Sequence, residues 1–129
     1  MPVRRLALPL LILALAASAC GRSEERDVRD TLEAFATATA KKDYQRLCDD
    51  LFAEKLVEEV RQTLPCELAL KNSSLNDAKD PKLVIRSITV DGETASAVVA
   101  TSAANQKPSE DTVRLVKDGE DWRIAALAS

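Results

Sequence analysis

Apolar and polar positions along the chain follow two different periods, divided near Pro81. Val28, Leu32 and Phe35 recur at i, i+4 and i+7, and Ala34 and Ala38 widen the stripe, which predicts a helix over residues 27–40. Asp27 and Asp30 near its start and Lys41 and Lys42 at its end suit the helix dipole. Tyr44, Leu47, Cys48 and Leu51 share one side of a second, short helix over residues 43–51. Phe52, Leu56, Val60 and Leu64 keep step with a third over residues 53–63, which Pro65 stops. Residues 66–71 have room for a further turn. The turn-forming stretch NSSLNDAKDP, residues 72–81, closes the helical half.

Beyond Pro81 the period drops to two. Residues 82–90 read as a strand, and Asp91-Gly92 is a strong hairpin signal, because a type I′ turn needs positive φ at both central positions. A two-residue turn there sets Ile88 opposite Ala95, Arg86 opposite Ala97 and Val84 opposite Val99 on one mostly apolar face. Ser87, Thr89, Thr94 and Ser96 take the other face, with Ile85 and Val98 as apolar exceptions. Residues 102–110 read as a loop or a broken strand end. Residues 112–117 and 122–127 predict a second hairpin about Asp118-Gly119-Glu120-Asp121, with Val113, Leu115, Trp122, Ile124 and Ala126 facing inward. Helices first and antiparallel strands after them make an α+β fold, N-terminal helices packed on an antiparallel sheet.

The N-terminal end carries a different signal. Arg4 and Arg5 introduce an apolar run over residues 6–15, too short for the ~20 residues that span a bilayer. LAASAC follows, with the small residues Ala17-Ser18-Ala19 directly before Cys20. This is the pattern of a bacterial lipoprotein signal, in which the Cys20 thiol accepts the lipid. The expected organisation is a signal peptide over residues 1–19, a polar tether over 20–26 and one domain over 27–129. The expected location is the extracytoplasmic face of the cell membrane, held through the N-terminal lipid. The alternative is an ordinary signal cut near Ala19, which leaves a soluble secreted protein with a spare thiol.

Charge and composition narrow the function classes. Without Arg4 and Arg5 the formal net charge falls from −3 to −5, which does not suit nucleic-acid phosphates or anionic lipid heads. Histidine is absent, which removes the usual general base and the commonest metal ligand. With Cys20 assigned to lipid, Cys48 and Cys66 are an even pair in an oxidising compartment and are expected to form a disulfide. Free core thiols are the alternative; a metal site is poorly served by two cysteines without histidine.

The first helix ending in KKDYQRLC, Cys66 after the third helix, the strand pair ITVDGETASAVV and the ending VRLVKDGEDWRIAAL together resemble an NTF2-like domain of the bacterial lipoprotein type, the cystatin-like α+β roll. The resemblance covers residues 27–127. It implies a strongly curved sheet wrapped on the first helix, leaving a conical cavity. Some members of that family are isomerases, dehydratases or epoxide hydrolases, and many others only bind ligands or partners. The enzymes use Asp/His or Asp/Arg/Tyr sets in the cavity. Here the inward strand positions are almost all apolar, so we expect a non-catalytic domain that binds a small apolar ligand or an envelope protein. A cavity enzyme of the isomerase or dehydratase type is the alternative. No catalytic residue, cofactor or metal ligand is assigned.

Three residues are possible cavity ligands. Arg86 is the one charge on the predicted apolar face of the first hairpin. It either grips an anion inside the cavity, snorkels at its rim, or is turned outward by a local bulge. Tyr44, with Asp49 and Asp50, is placed near the cavity mouth. Trp122 either stacks a ligand or plugs the core.

Overall fold

The computed structural model describes the backbone of residues 17–128 and the side chains of residues 23–127. Residues 1–16 of the expected signal peptide lie outside the described residues. Helix α1 runs over Ala17–Ala40. The short α2, Tyr44–Arg46, passes directly into a π-helical turn over Leu47–Leu51. Helices α3 (Glu54–Arg61), α4 (Cys66–Lys71) and α5 (Ser74–Asp77) follow. Strands β1 (Lys82–Asp91), β2 (Thr94–Ala103), β3 (Gln106–Asp118) and β4 (Asp121–Ala128) form one antiparallel sheet in the order β1-β2-β3-β4. Among the described residues no helix is long and apolar enough to cross a membrane.

The stripe on α1 lies where its spacing put it: Val28, Leu32, Phe35 and Ala38 are all buried. They meet Ala95, Ala97, Val99, Val113, Leu115, Trp122 and Ile124 from the sheet, and Tyr44, Leu47, Leu51, Phe52 and Val57 from the short helices. Burial of this apolar surface is the main force holding helix on sheet. Lys42 ends α1 with φ at 55°, and the Lys42 and Asp43 N–H groups donate back to Thr39 O and Ala38 O, a Schellman closure made without glycine. Asp43 then caps α2, its Oδ1 accepting from the Arg46 N–H at 3.2 Å. Phe52 leaves the π turn in extended form beside Ile124, and the Ala53 N–H donates to Ile124 O at 2.8 Å, so the chain seats itself on the free edge of β4.

Three expectations need correction, and one of two readings falls away in a fourth stretch. The helix expected to begin at residue 27 already covers residues 17–26, so residues 20–26, expected as a tether, are part of α1. Glu24 shows why: it stands four residues before Val28 on the same stripe and reaches the sheet.

The first hairpin turns at Gly92-Glu93, with Asp91 paired to Thr94, so Ile88 faces Ala97 in place of Ala95. Of the two central residues only Gly92 has positive φ, at 61°, which is the II′ pattern and not I′. A bulge at Arg86 then reverses the alternation. Leu83 and Ile85 pack against the core, while Val84, expected inside, is 53% exposed.

Of the two readings of residues 102–110, the broken strand end holds and the loop does not. These residues complete β2 and open β3 around a two-residue turn, with Thr101 paired to Ser109 and Ala103 to Gln106. Pro108 falls in the irregularity between those pairs, where a missing N–H costs the ladder nothing.

In the last hairpin a register shift beyond Ile124 pairs Leu127 with Val113 and Ala126 with Arg114. Leu127 therefore stands on the inner face in place of Ala126, but at the open end of the sheet, where it stays 49% exposed.

Candidate functional site

β3 carries the site. Its inner-face positions Leu115, Val113, Asp111 and Ser109 are two residues apart, and past the irregularity at Pro108 both Gln106 and Lys107 reach the same space, so polarity rises from a sealed apolar end to a charged open one. The C-terminal turn of α1 lies across this gradient, and between them is a pocket of about 390 Å³. Phe35, Leu75, Leu83, Val99, Val113 and Leu127 give it apolar walls. Asp111, Lys82 and Lys107 supply its charges, the two lysines from exposed positions.

The outer wall is the segment around α5, and hydrogen bonds tie it down on both sides. Lys42 Nζ donates to Asn76 O at 2.8 Å and Tyr44 Oη to Asn76 Oδ1 at 2.6 Å. From the β2–β3 turn, Asn105 Nδ2 donates to Asp77 O at 2.8 Å, and Asn105 Oδ1 accepts from the Lys79 N–H at 2.9 Å. A short helix that would not hold alone thus becomes a fixed wall.

One polar cluster faces this space. Thr101 Oγ1 and Ser109 Oγ lie 2.9 Å apart, and Asp111 Oδ2 lies 3.1 Å from the first and 2.9 Å from the second. Across the pocket, Thr39 is only 7% exposed, and its buried Oγ1 has no hydrogen-bond partner.

The expected cavity residues do not gather here. Arg86 stands exposed at the β1 bulge and lines no part of the pocket, so the outward alternative holds and the anion-gripping one fails. Tyr44 is buried, and its hydroxyl is spent on Asn76; burial, reinforced by the Asp77 charge, pushes its pKa up. It fixes the wall and does not line the mouth. Trp122 is a core residue: its ring is buried against α1, and Nε1 donates to Glu24 Oε2 at 2.6 Å. Asp49 and Asp50 are exposed. Asp49 borders a wider, open groove with Glu54, Glu58, Arg61, Asp118 and Arg123. Arg123 is occupied there, Nη1 donating to Asp49 O at 3.0 Å. Cys48 and Cys66 are joined in a disulfide, with Cα atoms 6.1 Å apart. Among the described residues no group of three or more His, Cys, Asp or Glu side chains is placed to hold a metal ion.

Thr39, Thr101, Ser109 and Asp111 went unread in the sequence. Thr39 completes the stripe 28-32-35-39, and that spacing was the available signal. Ser109 lies in the stretch expected as a loop or a broken strand end, and Thr101 and Asp111 stand at its two borders.

No family profile matches the chain. No curated protein is similar to it. Two solved structures share its architecture. An NTF2-like protein of unknown function from Shewanella baltica OS155 superposes with a TM-score of 0.61 at 18% identity, covering 82% of this chain and 91% of that one. An NTF2-like protein of unknown function from Silicibacter pomeroyi DSS-3 gives 0.60 at 18% identity, covering 82% and 93%. Helices followed by a curved four-stranded antiparallel sheet, superposing on both over most of their length, give this chain the NTF2-like α+β fold.

Proposed function

We propose that the protein is a lipid-anchored, extracytoplasmic domain that binds a small, largely apolar ligand between α1 and the sheet and does not transform it. The observation that carries this reading is the pocket itself: apolar along its walls and open at one polar end, walled by a segment tied on both sides, and of a volume common to small-molecule sites. The anchor rests on LAASAC and the preceding apolar run. On this reading α1 separates Cys20 from Thr39 by about 28 Å, at 1.5 Å per residue, so the pocket stands clear of the membrane and meets its ligand from water.

A cavity enzyme of the isomerase or dehydratase type has one group in its favour, the Asp111 carboxylate. It has no histidine or arginine in the pocket to share the work, and its two lysines are exposed at the mouth.

Both halves of the proposal are open to test. Cys20→Ser is expected to abolish incorporation of labelled palmitate; equal incorporation in the variant, or none in the parent protein, refutes the anchor. Ala36 lines the pocket from a partly exposed position on α1, where a larger side chain costs the helix little. Ala36→Phe is expected to leave Tm within a few degrees while removing the shifts that 1-octanol causes in the methyl NMR signals of Leu75, Val99 and Val113. Undiminished shifts in the variant would place binding elsewhere.

A further inference from the structure

Resting on the binding reading above, we infer that the ligand is an apolar molecule of about a dozen non-hydrogen atoms that ends in a hydrogen-bond donor, a hydroxyl or an ammonium group. The size follows from 390 Å³ at ~30 Å³ for each water-sized group. The donor follows from counting hydrogens.

Thr101, Ser109 and Asp111 make three close oxygen–oxygen contacts, of 2.9, 2.9 and 3.1 Å. Each hydroxyl supplies one hydrogen and a carboxylate supplies none, so two hydrogens serve three contacts. If both hydroxyls donate to Asp111, their own contact sets lone pair against lone pair. If one donates to the other, Asp111 receives a single bond. In both arrangements the cluster is an acceptor short of a hydrogen. Both contacts to Asp111 also fall on Oδ2, and among the described residues Oδ1 accepts none.

Thr39, on α1 across the pocket, takes no part in this: its Oγ1 is buried without a partner and is sealed off from the pocket's solvent. The lysines do not cancel the preference for a donor. Lys82 and Lys107 are exposed at the rim, where water screens them, whereas Asp111 is half-buried beside the sealed Val99. Among the described residues neither lysine is ion-paired with Asp111.

The test compares four probes of one length: 1-octanol, octylamine as its ammonium, methyl heptyl ether, which accepts but cannot donate, and octanoate. Titration calorimetry on the purified protein is expected to rank octanol and octylammonium about tenfold above the ether and octanoate. Asp111→Asn should remove most of that preference and leave the ether unchanged. Thr39→Val, close in shape, should leave octanol binding unchanged while Tm holds or rises, because an unsatisfied buried hydroxyl has been removed. Equal affinity for octanol and the ether overturns the donor inference and leaves the binding reading standing. So does tightest binding of octanoate, strengthened further by Asp111→Asn. Binding of none of the four overturns both.

Discussion

Replacing Cys48 and Cys66 together by alanine is expected to lower the stability of the fold by about 3 kcal/mol, which is more than 10 °C in Tm for a domain of this size. The two cysteines are 18 residues apart in sequence, and a bond between them removes the loop-closure freedom of that segment from the unfolded chain. The bond joins the π turn after α2 to the first residue of α4, with α3 held between them. α3 buries a single residue, Val57, so its own packing holds it weakly and the covalent tie matters more. Thermal melts with and without a thiol reductant, beside the double variant, measure the effect. If reduction leaves Tm unchanged, or both thiols alkylate fully without reductant, the expectation is wrong.

What was legible in the sequence is what periodicity and covalent chemistry encode. The α1 stripe, the helix stop at Pro65, the change of period after Pro81 and the cysteine pair each act through neighbours in the chain, so each leaves a local trace. The errors share a different origin. A bulge at Arg86 and another register shift beyond Ile124 each reverse the alternation of faces, and neither has a composition signature. They moved Val84 and Ala126 outward and Ile85 and Leu127 inward. The early start of α1 was hidden because Glu24, a charge, occupies a core-stripe position, and its partners lie more than ninety residues away. Residues 102–110 looked too polar for an unbroken strand because that end of the sheet borders an open pocket and not a sealed core. The polar end of the candidate site was therefore missed, while Phe35, Val99 and Val113 of its apolar end stood on the expected faces.

Trp122→Ala is expected to cost about 3–5 kcal/mol, as large as any single change in this protein. The ring is 3% exposed and belongs to the core shared by α1 and the sheet. Its loss also strips α1 of a polar anchor, the Nε1–Glu24 bond, while the backbone carbonyl of residue 122 still accepts from Thr31 Oγ1 at 3.0 Å. Trp122→Phe separates the two contributions: most of the packing remains, and Glu24 keeps only Lys117. The pH profile reads the polar part. Lys117 first and Trp122 second hold the Glu24 carboxyl below the usual glutamate range, against a smaller opposing effect of burial. A depressed folded pKa contributes stability above the unfolded value, and that contribution disappears as the pH falls through the folded one. Lys117 is raised by the same contact, so its share is present below the ordinary lysine pKa and is lost as the pH rises through the higher folded value. Glu24 and Lys117 remain 28% and 27% exposed, so the pair is screened and both limbs should be shallow and weaken with salt. Urea denaturation between pH 3 and 11 is expected to show an acid limb and an alkaline limb in the parent protein, with both flattened in Glu24→Gln. In Trp122→Phe the acid limb is expected to be reduced and the alkaline limb kept. If Trp122→Ala proves nearly neutral in stability but abolishes octanol binding, the indole is a ligand platform, and its assignment to the core fails.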